Sequence, residues 1–274
     1  MMAVHPGSFL FVTLDSCRYD TFESASTPTL DQLGPLHRAM APGTYTYASH
    51  AAMFVGFTPG VFSTDEPFLN PKAGRIFKMD YPPALHARRH FVSLQGANVV
   101  EGFGGLGYET VGTGAVGWFD PAAPTAQVLI GSFQRYFYPG NPWSLRRQIA
   151  FVEQELDRLG PARVFVFINV GETHVPYYHE GAPWSPDENP CVPFSEANDA
   201  VECRRRQTAC VEWVDRELSG LVERFAGANV LVCGDHGDAW GEDGLWEHGI
   251  HHQKVLEVPL LFRLLHSPHE AAIR

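Results

Sequence analysis

Three short apolar runs constrain this chain more than any other feature, because each stops on groups able to bind metal or phosphate. Phe9–Leu14 (FLFVTL) ends on Asp15. Arg163–Val170 (RVFVFINV) leads into Gly171-Glu172-Thr173-His174, and Val230–Cys233 (VLVC) into Gly234-Asp235-His236-Gly237. Continuous apolar runs of this length suit strands buried on both faces, as in a parallel sheet covered by helices. Ligand sites in open α/β sheets gather at the carboxyl ends of such strands. An adjacent Asp and His there can give one divalent ion a carboxylate oxygen and an imidazole nitrogen. Each ending alone reads equally well as a helix cap or a polar loop. Three such strand ends in one chain form a more specific pattern.

Between the runs the sequence predicts helices. Ser144–Leu159 carries Leu145, Ile149, Val152, Leu156 and Leu159 at helical spacing and stops at Gly160-Pro161. Asn198–Phe225 reads as a long helix leading into the third run, and Thr27-Pro28 with Asp31 as a helix start. Ser49–Val55 predicts a short helix that Ser49 can cap and Gly56 can end. Thr46 then falls just upstream of a helix N-terminus, where backbone N–H groups and the dipole favour an anion such as phosphate. A hydroxyl there can attack phosphorus, although Thr44, Thr46 and Ser49 also suit turn and cap positions. Strand–helix alternation, closed by a Val258–Leu264 strand, predicts an α/β fold with a mostly parallel central sheet flanked by helices. No repeat or linker divides the 274 residues, so 1–274 is expected to be one domain.

The net charge of −11 argues against a nucleic-acid partner, since no basic patch is available to neutralise phosphates. Arg204-Arg205-Arg206, set among Asp199, Glu202 and Glu212, reads as a solvated helix face. An acidic protein can still hold phosphate when a metal supplies the positive charge. Five cysteines without zinc-ribbon spacing read as buried thiols, with Cys203 and Cys210 on one helix face. The N-terminal apolar run is too short for a leader or a membrane span, so a soluble, cytoplasmic protein without a membrane partner is expected. Thr58–Pro83 and Gly181–Pro193 read as long loops. Eight glycines fall between Leu94 and Phe119, but without a GxGxxG between strand and helix they predict no dinucleotide site.

Six blocks, in order, carry a resemblance. Asp15-Ser16-Cys17-Arg18-Tyr19-Asp20 resembles the D-x-x-R-x-D opening of the alkaline phosphatase and sulfatase superfamily, and Thr27–Leu33 resembles its TPNLDRLA segment. Thr46–Pro59 is similar to the family's nucleophile helix, Gly107-Tyr108-Glu109-Thr110 to its GYRT, and Val211–Asp215 to the helix that precedes its last motif. Asp235-His236-Gly237, His248-Gly249 and Val258-Pro259-Leu260 are similar to DHGE, HG and VPL. The sequence departs from the sulfatase motif C/S-x-P-x-R, with Thr46 for the nucleophile, Ala48 for Pro and His50 for Arg. Cys191-Val192-Pro193 begins like that motif but lies in the wrong block.

The resemblance implies a metal-dependent hydrolase of small phosphate esters, with a phospho-threonine formed on Thr46. Asp15, Asp235 and His236 would hold a divalent ion, Mn²⁺ or Zn²⁺, with the Thr46 oxygen completing the set. His174 and His248 would contact the phosphoryl oxygens or protonate the leaving group. A second ion would need a histidine that only His248, His251 or His252 could supply, because the usual C-terminal subdomain is expected to be missing. Competing expectations are a sulfate-ester hydrolase without formylglycine, a phosphoryl transferase, and a non-catalytic binding protein with the same fold.

Overall fold

The structure is a computed structural model that describes residues 3–56 and 98–265. In chain order its strands are β1 (Phe9–Leu14), β2 (His37–Met40), β3 (Glu109–Gly114), β4 (Arg135–Phe137), β5 (Val164–Val170), β6 (Asn229–Gly234), β7 (Ala239–Trp240), β8 (Trp246–Glu247) and β9 (Glu257–Arg263). Seven of them form one sheet in the order β2-β9-β6-β1-β5-β3-β4. β6, β1, β5, β3 and β4 run parallel, and β9 is antiparallel to both β6 and β2. β7 and β8 pair as a separate small hairpin. The predicted α/β architecture is what forms, with β9 as the reversed strand.

The sequence of β5 shows how the sheet acquires two different faces. Strand side chains alternate, so Val164, Val166, Ile168 and Val170 share one face and Phe165, Phe167 and Asn169 the other. All seven are buried. The aliphatic face packs with Leu10, Val12 and Leu14 against Val152 and Leu156 of α5 (Leu145–Leu159) and Val214 and Leu218 of α6 (Ala200–Arg224). The aromatic face receives α2 (Thr46–Val55), where the Phe167 ring stands edge-on to Phe54 at 5.1 Å and to His50 at 5.7 Å. The helix bearing Thr46 is therefore anchored by the middle of the sheet.

Two of the sequence blocks bind each other. Asp215 of α6 is fully buried and accepts the backbone N–H groups of Thr29 and Leu30, at 3.1 and 2.8 Å. Those residues open a single 3-10 turn, Leu30–Leu33, which is shorter than the helix expected after Thr27-Pro28. α2 also differs from expectation. It starts at Thr46, its N-cap is Tyr45 without a side-chain cap, and Ser49 lies inside it with no partner for its hydroxyl among the described residues. Gly56 ends it in the left-handed region, at φ 68°, as expected.

The glycine-rich stretch contains α3 (Val99–Gly105), with an Asn98–Glu101 capping box, as well as β3. Arg204 and Arg205 are solvated, but Arg206 is buried against Glu202 and the Glu188 carbonyl, so the basic run is not wholly a solvated face. All five cysteines are free and buried. The loop expected over Thr58–Pro83, and the end of the nucleophile block at Phe57-Thr58-Pro59, lie outside the described residues. Among the described residues no helix is long and apolar enough to cross a membrane.

Two stability outcomes follow. Phe167→Ala removes a fully buried ring from the contact between sheet and α2, and is expected to cost about 3–5 kcal/mol in denaturant unfolding. Glu172, just beyond β5, is fully buried, and its Oε1 accepts the first N–H of α5 at 2.8 Å. Burial raises its carboxyl to about 7 from an ordinary 4.5. A raised acid favours the folded state below its unfolded value and loses that advantage as pH rises through the folded one. Stability should therefore fall from about pH 4.5 to about pH 7, and Glu172→Gln should flatten that slope in thermal melts across the window.

Candidate active site

Strand register brings the site together. β1 lies between β5 and β6, with Leu14 level with Val170 on one side and Gly234 on the other. Asp15, the Gly171–His174 segment and the Asp235–His236 pair therefore leave the same sheet edge as neighbours. Backbone bonds carry the ladder one residue past the strands, Asp15 N–H to the Val170 carbonyl at 3.0 Å and Asp235 N–H to the Leu14 carbonyl at 3.3 Å. The Thr173 hydroxyl donates to the Asp15 carbonyl at 2.7 Å. Both carboxylates are thus fixed by main chain. Gly237 allows the next loop to fold back closely, since a Cβ there would lie 2.3 Å from the Lys254 carbonyl.

α2 delivers Thr46 to this edge on its first turn. Its Oγ1 is 3.3 Å from each Asp15 oxygen and 3.4 Å from His236 Nε2. His236 Nε2 is 3.5 Å from Asp15 Oδ1 and 3.6 Å from Asp235 Oδ2. Asp15, Asp235 and His236 are fully buried, and Thr46 is 1% exposed. Of the three candidate hydroxyls, only that of Thr46 reaches the carboxylates. Thr44 contributes its carbonyl, which accepts the Gly249 N–H at 2.7 Å, and Ser49 points into the fold.

Electrostatics makes this group costly as it stands. Asp235 Oδ1 accepts the N–H groups of Ser16 and His236, but Oδ2 is buried without a hydrogen-bond partner among the described residues. Burial, and next the Asp15 charge, push the Asp235 carboxyl well above the usual carboxylate range. Burial and then the charge of His248 hold the His236 imidazole down at about 3, so it is neutral. Its Nδ1–H donates to the Gly237 carbonyl at 3.0 Å, which leaves the Nε2 lone pair facing the two carboxylates. The separations from Thr46 Oγ1 to Asp15 and His236, and from His236 Nε2 to both carboxylates, are 3.3–3.6 Å, close to the roughly 3.4 Å between ligands of a tetrahedral ion with bonds near 2.1 Å. A divalent cation fits this set, and it would satisfy the orphaned oxygen.

His50, which stands where the sulfatase motif has Arg, turns inward. It is fully buried, and its Nδ1–H donates to the Thr46 carbonyl at 2.8 Å. Nε2 accepts from the Thr13 hydroxyl at 2.8 Å, and Asn169 Nδ2 reaches both Thr13 Oγ1 and Asp15 Oδ2 at 3.4 Å. Burial holds His50 at about 4, in its neutral form. This residue steadies the first turn of α2, and the same Nδ1 lies 3.6 Å from Asp235 Oδ2.

A second group adjoins the first. The His248 ring is 4.5 Å from that of His236 and 5.1 Å from that of His174. His248 Nδ1 bonds Asp238 Oδ1 at 2.7 Å. Burial alone would lower His248, but the hydrogen bond and charge of Asp238 outweigh it and raise the imidazole to about 9. His174 donates from Nδ1 to the Val175 carbonyl at 2.8 Å. Thus Asp15, Thr46, His174, Asp235, His236 and His248 converge at one edge, whereas His251 and His252 do not join them. His252 caps a short helix, Gln253–Leu256, and faces Asp243, and His251 is exposed.

Residue-by-residue reading missed Asp238, His50, Asn169 and Tyr177. Asp238 carried a signal, since it fills the fourth place of the segment similar to DHGE. Tyr177 carried none. Arg18, from the D-x-x-R-x-D block, is buried and clasps the site from outside. It pairs with Asp20 at 2.7 Å and Glu242 at 2.9 Å, donates to the Asp238 carbonyl at 3.2 Å and lies 4.1 Å over the Trp240 ring.

No protein-family model and no curated protein matches the sequence. Solved structures do. The periplasmic domain of the phosphoethanolamine transferase EptC from Campylobacter jejuni superposes with a TM-score of 0.64 at 14% identity, over 96% of this chain and 82% of that one. A phosphonate monoester hydrolase of Agrobacterium radiobacter gives 0.62 at 14% identity, over 94% and 68%. An alkaline phosphatase superfamily protein from Vibrio parahaemolyticus gives 0.56 at 14% identity, and there this chain spans only 60% of the other. The fold described above is an alkaline phosphatase-like fold.

Proposed function

We propose that this chain is a metal-dependent hydrolase of phosphate esters, working in the cytoplasm through a phosphorylated Thr46. One observation carries the reading. The Thr46 hydroxyl stands on the first turn of α2, 3.3 Å from both Asp15 oxygens and within the buried Asp15–Asp235–His236 set. Asp15, Asp235, His236 and Thr46 would hold one divalent ion, and a mixed oxygen–imidazole set suits Zn²⁺ or Mn²⁺. Such an ion lowers the pKa of a neighbouring hydroxyl and offsets the charge of phosphoryl oxygens.

The chain's own residues account for the remaining steps. The positive end of the α2 dipole, at the turn that begins with Thr46, would favour the anion that Thr46 attacks. Thr46 Oγ1, its proton released to solvent, forms a bond to phosphorus while the bond to the leaving oxygen breaks. His248 is held protonated beside Asp238 and gives its Nε2 proton to that oxygen. His174, whose ring lies 5.1 Å from that of His248, would contact the phosphoryl oxygens. Water then attacks phosphorus and gives a proton back to His248, while the Thr46–phosphorus bond breaks and Oγ1 regains its proton from solvent. An alcohol in place of water would make the same site a transferase, a reading favoured by the likeness to the Campylobacter jejuni transferase domain.

Thr46→Ala is expected to lower turnover of aryl phosphate esters at least 1,000-fold while keeping metal, because both carboxylates and the His236 imidazole remain, and Thr46→Ser to retain measurable activity. Steady-state kinetics with elemental analysis checks both. Parent-rate hydrolysis by Thr46→Ala would remove the covalent route, and turnover of sulfate esters alone would favour a sulfatase. Asp235→Ala and His236→Ala should each strip the metal without unfolding the domain, since both sit beyond a strand end. Removal of Asp235 also relieves a buried like-charge contact, so its metal-free melting temperature should not fall. Full metal occupancy in both variants would eliminate the site.

A further inference from the structure

Within that reading of the site, we propose that Tyr177 is a positioning residue. Backed by Trp240, its hydroxyl locks Asp238 into the service of His248 and keeps that carboxylate out of the metal set.

The direction of each hydrogen bond follows from the donor inventory. Trp240 Nε1 can only donate, and it lies 2.7 Å from the Tyr177 oxygen. The phenol has one proton, and its other neighbour is Asp238 Oδ2, also at 2.7 Å. Tyr177 must therefore accept from Trp240 and donate to Asp238. The second Asp238 oxygen, Oδ1, takes the His248 Nδ1–H at 2.7 Å. This assigns the Nδ1 proton and turns Nε2 the other way, toward the His236 and His174 rings. Tyr177 and Asp238 are fully buried and Trp240 is 4% exposed, so no water competes for these bonds. Arg18 holds the Asp238 carbonyl, and the Gly237 N–H is bonded to the Val255 carbonyl at 2.7 Å, which fixes the backbone beneath the carboxylate.

The lock matters because Asp238 has a second use within reach. His236, Asp238 and His248 each offer a ligand-type atom, and all three lie within 4.8 Å of one another. A carboxylate free to rotate would be drawn to an ion bound at His236. Donors on both oxygens forbid the rotation, and the phenol supplies one of them. Tyr177 thereby selects between a hydrogen-bonded Asp238–His248 pair and a carboxylate ligand.

In the transfer step, His248 Nε2–H passes its proton to the leaving oxygen as the phosphorus–oxygen bond breaks, and Nδ1–H stays on Asp238. Only leaving groups that need this proton should notice a misaligned imidazole. Zinc-loaded parent, Tyr177→Phe and Asp238→Asn are to be compared on an alkyl phosphate ester and on 4-nitrophenyl phosphate. We expect the alkyl rate to fall at least tenfold more than the nitrophenyl rate in both variants. Equal losses on the two esters would overturn the proposal, since that is what general damage produces. Histidine-selective nitrogen NMR of the same zinc-loaded proteins, assigned with His248→Gln, adds a readout independent of turnover. The parent should show the His248 Nδ1 proton held in its hydrogen bond to Asp238, as a downfield signal in slow exchange with water, and Tyr177→Phe should lose that signal to fast exchange. An unchanged His248 signal in Tyr177→Phe would also overturn it. Should the parent hydrolyse neither ester, the hydrolase reading fails, and the NMR comparison still decides the role of Tyr177.

Discussion

Two aspartates are forced together by strand pairing, and much of the surrounding structure serves that contact. Asp15 and Asp235 follow adjacent parallel strands in the same register, so neither can move away without breaking the central ladder. Both are fully buried. Two like charges in a low-dielectric place are tolerated only when donors and a cation balance them. Backbone N–H groups of Ser16 and His236 serve one Asp235 oxygen, and Asn169 approaches Asp15. One Asp235 oxygen is left over, 3.6 Å from the His236 Nε2 lone pair and 3.6 Å from His50 Nδ1. The strain of the pair is itself the specification of a cation site.

Each flank of this centre has its own buried polar chain. Behind Thr46, Asn169, Thr13 and His50 link the sheet to the first turn of α2. Beside His236, Trp240, Tyr177, Asp238 and His248 link the small β7–β8 hairpin to the mouth of the site. In both, a histidine is held at Nδ1 by an oxygen acceptor, which fixes where its Nδ1 proton points. The outcomes differ because the acceptors differ. A carbonyl leaves buried His50 neutral, whereas a carboxylate keeps His248 charged. One side chain type thus provides a neutral strut on one flank and a charged group on the other.

The family resemblance set an arginine against position 50, and the structure gives the departure a physical meaning. His50 replaces a long cation by a buried, neutral bridge between α2 and β1, with its Nδ1 3.6 Å from Asp235 Oδ2. Positive charge at the described part of the site must then come from a bound ion and from His248. Arg18 and Lys254, which lie close in sequence to site residues, are both spent on Asp20 outside it.

Much of this arrangement was legible in the chain because it depends on local pattern. Apolar runs long enough to be buried strands, each ending on Asp15, His174 or Asp235, determined the α/β fold and the sheet edge that carries the chemistry. What the sequence left open concerned partners distant along the chain. It could not separate Thr46 from Thr44 and Ser49 by spacing alone, since the cap expected at Ser49 depended on where the helix began. In the folded chain α2 starts at Thr46, so Ser49 lies inside it. It could not find Tyr177, because a tyrosine after a strand has no periodicity to betray it. Only the tertiary fold, by bringing residue 177 against 238 and 240 in a place without water, gave that hydroxyl a single direction to donate.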